Sequence, residues 1–236
     1  MAASTTSTSH PWQAAAALAA FKHRHQLRKD GRTPYISHPV RVAMTCATVF
    51  GVRDDTTIAA ALLHDLIEDT TTDYDDLLEQ FGEEIADIVA CLTKDARMIE
   101  SERERAYDRQ LAEGPWRARI IKLADVYDNL HDIVDHSAAG LRPSQEGQDA
   151  VAEVLERARR AMRLVANDAQ AADALDAVRQ LVQRVERSPG RTMPPLSRGD
   201  GAQPVASEGS PTREGPDMAS REQPPAFRVM NQGHPT

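Results

Sequence analysis

The segment Ala61-Leu62-Leu63-His64-Asp65-Leu66-Ile67-Glu68-Asp69-Thr70 sets four ionisable side chains directly after an apolar run. On a helix, His64 and Glu68 are i,i+4 neighbours, and so are Asp65 and Asp69. The spacing predicts two parallel rows, one angular step apart. An imidazole and a carboxylate at one level can grip a cation. Two further carboxylates one turn on would then sit beside a water activated by that cation. Taken alone, the segment also fits an ordinary helix with a half-buried His64 and a solvated last turn carrying Glu68 and Asp69.

Residues elsewhere extend the pattern. Asp125 and Asn129 are i,i+4 on a long amphipathic stretch, and Asp125 lies beside the apolar stripe, where an unpaired carboxylate is costly. His38 stands between Ser37 and Pro39 at the start of another apolar helix. Singly, His38 is a helix-start or core histidine, and Asp125 is the partner of a buried salt bridge with Lys122 or Arg119. Together, His38, His64, Asp65 and Asp125 supply two imidazoles and two carboxylates. A mixed N/O set of this kind suits Mn, Fe or Zn better than Ca.

The elements that must position these residues all read as helices. Ile36, Val40, Ala43, Ala47 and Phe50 recur at spacings of three and four, as do Ile58, Leu62 and Leu66. Ile85, Ile88, Val89 and Leu92 form a further stripe opened by Gly82. Ile120, Leu123, Ala124, Tyr127, Leu130 and Val134 form the longest, over about 119–134. Two more amphipathic helices follow, over about 148–166 and 168–187. Loops fall at Asp30-Gly31-Arg32-Thr33-Pro34, Arg53-Asp54-Asp55 and Glu113-Gly114-Pro115. Ser37 is placed to cap one helix and Asp54 or Asp55 the next. The expected fold is all-α, a helical bundle with a metal site between helices.

Composition narrows the function. The chain has 236 residues, 41% hydrophobic but only 4% aromatic, which disfavours a β sandwich or barrel. Its formal net charge of -8 argues against binding a nucleic-acid polymer. A nucleotide substrate remains compatible, because a bound cation reverses the local charge. Cys46 and Cys91 are too few for a disulfide framework and read as small core side chains, consistent with a cytoplasmic protein. The apolar run Ala14–Phe21 is too short for a signal core or a membrane span. Residues 1–10 read as a flexible N-terminus and 11–187 as the folded domain. Residues 188–236 hold nine of the 14 prolines and six of the 12 glycines, with five basic and five acidic residues and no apolar period. Such a tail cannot bury enough apolar area to offset its ordering entropy and is expected to be disordered.

The order His38 … His64-Asp65 … Asp125 is similar to the signature of the HD phosphohydrolase superfamily. Its surroundings resemble the hydrolase domain of RelA/SpoT-type proteins: Arg28-Lys29-Asp30-Gly31, Pro34-Tyr35-Ile36-Ser37-His38-Pro39, Ala60 to Thr70, Phe81-Gly82, Leu92-Thr93-Lys94 and Ile121-Lys122-Leu123-Ala124-Asp125 … Asn129-Leu130. The likeness spans about residues 15–135. It implies an HD-domain helical bundle that removes the 3′-pyrophosphate from the guanine-nucleotide alarmone (p)ppGpp. It implies that His38, His64, Asp65 and Asp125 hold one Mn²⁺, and that Glu68 and Asp69 orient or deprotonate the attacking water. It implies that Arg28 and Lys29 embrace the guanine base and phosphates, and that Asn129 contacts substrate. Without the resemblance, Arg28-Lys29 would read as a solvated helix C-terminus.

After the last ligand, bifunctional relatives of this kind read Arg-Leu-His-Asn-Met-Arg-Thr, whereas this chain reads Val126-Tyr127-Asp128-Asn129-Leu130-His131-Asp132. With no room for a synthetase domain, the chain resembles the small hydrolase-only form found in animals. Two further functions stand beside alarmone hydrolysis: an HD phosphatase acting on a dNTP, a nucleoside monophosphate or NADPH, and a non-catalytic nucleotide-binding HD domain. The helices over 148–187 lie outside the likeness and are expected to pack on the bundle or to pair with a second subunit.

Overall fold

Helix α3 (Asp55–Leu63) runs through the middle of the molecule and is buried nearly all round, with Thr57 and every residue from Ala59 to Leu63 inaccessible. A helix apolar on all faces needs neighbours on all faces. It packs against α1 (Pro11–Lys22), α2 (Ser37–Thr48), α6 (Glu83–Leu92) and α8 (Trp116–Ala138). Ala15 and Ala19 of α1 and Ala59 to Ala61 of α3 are fully buried, and these small side chains let the helix axes approach closely. Helix α8 buries Ile120, Ile121, Leu123, Ala124 and Leu130 and packs on α2. The helices that carry His38 and Asp125 therefore pack on each other and on α3, whose C-terminal end leads directly into His64 and Asp65.

The structure, a computed structural model, describes residues 10–138 and 145–187. All of these lie within one compact unit. The expected flexible N-terminus (1–10) and the expected disordered tail (188–236) lie outside the described residues, apart from His10. Among the described residues the only β pairing is an isolated bridge between Leu27 and Pro34. The all-α expectation is borne out. No described helix is long and apolar enough to cross a membrane.

The remaining helices are α4 (Leu66–Asp69), α5 (Tyr74–Phe81), α7 (Glu100–Glu113), α9 (Gln145–Leu164) and α10 (Ala172–Arg187). A capping box of Asp73 and Asp76 opens α5. Gly82, at φ 82°, turns the chain from α5 into α6 in a conformation that a side chain disfavours. Gly114 is needed for space rather than for its backbone angle, because a Cβ there would lie 2.3 Å from Cys91 Sγ. Both cysteines are free and buried, and burial pushes the Cys46 thiol up to about 12. Helices α9 and α10 pack on α8, so the first of their two expected placements is the one observed.

Local expectations divide. Asp54 caps α3, its carboxylate accepting from the Thr57 amide at 3.0 Å. Ser37 is not a cap. The chain already turns at Pro34 and Tyr35, so Ile36 takes the cap position and Ser37 becomes the first helical residue. Its hydroxyl is buried without a hydrogen bond. Arg28 and Lys29 are not a helix C-terminus, because α1 ends at Lys22 and both follow in a loop. The long helix begins at Trp116, just after Pro115, and runs to Ala138. The first of the last two helices starts and ends earlier than expected, at Gln145–Leu164, and the second is shorter, with a 3₁₀ turn at Ala169–Ala171 before it.

Candidate metal centre

His64 and Asp65 do not continue α3. The His64 Nδ1 donates to the Ala61 carbonyl at 2.8 Å, occupying an acceptor that the next helical amide would otherwise use. The helix stops at Leu63, and α4 restarts at Leu66. The expected continuous double row of His64/Glu68 and Asp65/Asp69 is thus broken at its first level, although the Asp69 amide still donates to the Asp65 carbonyl at 2.8 Å. The break frees the His64 imidazole to turn its other nitrogen into the bundle.

Ligand atoms of His38, His64 and Asp65 lie within 4.8 Å of one another. The His64 Nε2 is 3.1 Å from Asp65 Oδ1, and the His38 Nε2 is 3.6 Å from Asp65 Oδ2. Asp125 joins from α8, its Oδ1 standing 3.3 Å from the His38 Nε2. Both histidines are buried, and Asp65 and Asp125 are half-buried. The His64 Nε2 is buried and has no hydrogen bond, despite its closeness to Asp65. A buried ring nitrogen without a partner is costly unless something else takes up its lone pair.

Each ring is oriented by its other nitrogen. The His64 Nδ1 faces a carbonyl, and the His38 Nδ1 faces the Asp128 carboxylate at 2.6 Å. Carbonyl and carboxylate oxygens only accept, so both Nδ1 atoms carry the hydrogen and both Nε2 atoms face the cluster. Two imidazole nitrogens and the Asp65 carboxylate facing one another, with Asp125 reaching them beside His38, are donors that fit a divalent cation.

Charge around the cluster is balanced from one side. Lys122 donates to Asp125 Oδ2 at 2.7 Å, while Asn129 Nδ2 donates to Asp125 Oδ1 at 2.7 Å. The salt bridge weighed for Asp125 therefore exists with Lys122, and the other oxygen still faces the histidines. Arg119 pairs instead with Asp168. Burial would lower the His38 pKa, but hydrogen bonds to Asp125 and Asp128 and the charge of Asp65 overcome it and raise it to about 9. His64 is likewise raised, with Asp65 outweighing burial.

Glu68 and Asp69, on α4 just beyond Asp65, are exposed. Desolvation by the surrounding protein raises both carboxyl groups, and the charge of Asp65 adds to it. The Lys94 amide points at Glu68 Oε2 from 3.4 Å. Asp69 is tied to the cluster through the Tyr35 hydroxyl, which lies 2.7 Å from Asp65 Oδ2 and 2.9 Å from Asp69 Oδ2.

Arg28 reaches α8 beside the cluster. Arg28 NH2 donates to Asn129 Oδ1 at 3.3 Å and to Asp132 Oδ2. Its Nε is buried without a partner. Surrounding protein and the positive charges of Arg157 and Arg28 hold the Lys29 ammonium below its ordinary pKa. Arg157 comes from α9, outside the stretch whose text resembled a hydrolase.

Tyr35, Asp128 and Arg41 complete the site and have no role in the sequence reading, whereas Lys122 is there already as a salt-bridge partner for Asp125. Tyr35 lay inside the quoted motif. Asp128 was visible as a departure from it, and Arg41 as the residue one turn after His38.

A model of the HD domain matches residues 15–158. The chain is 38% identical over 132 residues to the guanosine-3′,5′-bis(diphosphate) 3′-pyrophosphohydrolase MESH1 of Drosophila melanogaster, covering 56% of this chain and 73% of that one. It is 41% identical over 120 residues to the Homo sapiens protein of the same name, covering 50% and 67%. Among solved structures it is similar to a metazoan orthologue of SpoT described as hydrolysing ppGpp. The TM-score is 0.64 at 29% identity, covering 76% of this chain and 98% of the other.

Proposed function

From the premise that the chain belongs to the HD-domain family, we propose that it hydrolyses guanosine 3′,5′-bis(diphosphate), using one divalent cation. Water adds to the phosphorus joined to the ribose 3′ oxygen, the bond from that oxygen to phosphorus breaks, and the products are GDP and pyrophosphate. With the 5′-triphosphate form of the substrate the products are GTP and pyrophosphate. The observation that carries this reading is the buried, unbonded Nε2 of His64 facing Asp65 and His38.

His38, His64, Asp65 and Asp125 would hold the cation, and their N/O donors suit Mn²⁺. Such a cation supplies charge neutralisation for phosphoryl oxygens and makes a water more acidic. The protein's own groups do the rest. Glu68, with its carboxyl raised by desolvation, accepts the proton lost by the attacking water. Tyr35 holds Asp69 against Asp65 and so fixes the second carboxylate beside the first. Arg28 and Lys29 bind the anionic substrate, and Asn129 links the Arg28 guanidinium to Asp125. Lys122 holds Asp125 ionised.

The activity is tested by incubating the protein and Mn²⁺ with ppGpp, dNTPs, a nucleoside monophosphate and NADPH. Pyrophosphate from ppGpp is expected. Phosphate or pyrophosphate released only from the others would move the protein to another HD phosphatase class. Metal binding with no turnover would make it a nucleotide-binding domain.

Cation binding should be linked to pH. In the metal-free protein His38 carries a proton up to about pH 9, and a cation must displace it. Affinity for Mn²⁺ therefore rises by about tenfold per pH unit below 9 from this proton, and levels off above it. The same raised pKa stabilises the metal-free fold fully below pH ~6.5, a contribution lost as pH rises through 9. Calorimetric titrations in buffers of different ionisation enthalpy count the protons released. Mn²⁺ affinity independent of pH between 6.5 and 9 would contradict the assignment.

A further inference from the structure

Asp128 is buried at 3% exposure, and among the described residues its hydrogen bonds and ion pairs go to His38, Arg41 and Arg28. Its Oδ2 accepts from His38 Nδ1 at 2.6 Å and from Arg41 NH2 at 2.8 Å, and its Oδ1 accepts from Arg41 Nε. Arg28 NH2 stands 3.7 Å from Oδ2. The two-pronged contact from Arg41 leaves the carboxylate little freedom to rotate. Arg41 also donates from NH2 to Asp132 Oδ1 at 2.9 Å, and the other oxygen of Asp132 receives Arg28.

Helix spacing makes this chain of contacts. His38 and Arg41 lie one turn apart on α2. Asp125, Asp128 and Asp132 recur at three and four on α8, which packs against α2. The sequence His38–Asp128–Arg41–Asp132–Arg28 therefore runs from the remote nitrogen of the histidine whose Nε2 faces the cation site to the guanidinium proposed to bind substrate. The Arg41 side chain is 41% exposed, where an ion pair adds little to the fold alone.

We infer that Asp128 and Arg41 are positioning residues: Asp128 fixes the tautomer and tilt of His38, and Arg41 holds Asp128 and Asp132 together so that cation and nucleotide sites keep one geometry. The inference rests on the metal-site reading above. It assigns neither residue to the cation or to the substrate. A carboxylate on the remote nitrogen of a ligand histidine sets ring orientation and raises its basicity.

The test uses the full chain, freed of metal, in calorimetric titrations with Mn²⁺ for the wild type, Asp128→Asn and Arg41→Met. Thermal midpoints of the metal-free proteins and steady-state kinetics with ppGpp at saturating Mn²⁺ complete it. Asp128→Asn is expected to bind Mn²⁺ about 10- to 100-fold more weakly, the range typical of lost second-layer partners. Arg41→Met, which keeps the aliphatic stem, is expected to weaken Mn²⁺ binding several-fold. At saturating Mn²⁺ it should raise KM for ppGpp more than it lowers kcat, and Arg41→Lys should restore only part of either. Mn²⁺ affinity within twofold of wild type in a folded Asp128→Asn or Arg41→Met protein overturns the inference, even if the thermal midpoint falls. If Asp128→Asn does not fold, the part-exposed Arg41→Met decides by the same criterion. A wild type that binds no Mn²⁺ overturns the metal-site reading and this inference together, an outcome distinct from unchanged affinity in the variants.

Discussion

Asp65→Ala is expected to yield a folded protein that retains no divalent cation and releases no detectable pyrophosphate from ppGpp. Asp65 is central to the cluster, lying 3.1 Å from His64 Nε2 and 3.6 Å from His38 Nε2 while accepting from the Tyr35 hydroxyl. Loss of a direct cation ligand should exceed the roughly 10- to 100-fold weakening that loss of a second-layer partner causes. The fold should survive for two reasons. Asp65 stands at the start of α4 but makes no side-chain cap there. His38 and His64 can shed their protons when the carboxylate goes, so no buried charge is stranded. Metal content after dialysis, read with the circular-dichroism melt, checks both halves. A variant that keeps stoichiometric Mn²⁺ would show that the cluster is a salt-bridge network and not a cation site.

Glu68→Gln separates binding from chemistry. Glutamine keeps an oxygen for the Lys94 amide, which approaches Glu68 Oε2 at 3.4 Å, and the side chain is exposed. Folding and Mn²⁺ affinity should stay within about twofold of wild type, because nothing in the ligand set changes. The proton acceptor is lost, and kcat should fall by about 100- to 10,000-fold, the usual contribution of a positioned general base. The wild-type rate should also fall with decreasing pH as Glu68 is protonated. Desolvation with the charges of Asp65 and Asp69 moves that limb above the ordinary glutamate range. The limb should vanish in the variant. A Glu68→Gln enzyme with wild-type kcat would assign proton transfer elsewhere, with Asp69 the nearest other carboxylate on α4.

The helices were legible because their apolar spacing reflects burial. The stripes containing Leu62, Ile88 and Leu123 became core, whereas in the first stripe Ala43 and Phe50 are buried but Val40 is exposed, its place in the core taken by Val42 and Cys46. The four candidate ligands were legible because imidazoles and carboxylates beside apolar stripes are costly without a shared role. What the sequence concealed was set by tertiary contacts. Helical spacing from Ala61 to Asp69 suggests one continuous helix, but α3 ends at Leu63, where the His64 side chain turns back onto the Ala61 carbonyl. Ser37 has the chemistry of a cap, but the turn at Pro34 moves the helix start to Ile36. Asp128 stood out only as a mismatch to a resembling motif. Its partner Arg41 lies 87 residues away in sequence, so their pairing depends on the packing of α2 against α8. Arg157 reaches the neighbourhood of Lys29 from a helix that no motif covered.

The central claim is that His38, His64, Asp65 and Asp125 share one divalent cation on which hydrolysis depends. The direct measurement is metal content per chain alongside pyrophosphate release from ppGpp, before chelation, after chelation and after Mn²⁺ is returned. One ion per chain is expected, with turnover abolished by the chelator and restored in proportion to the ion rebound. Undiminished turnover in protein stripped of metal would contradict the account.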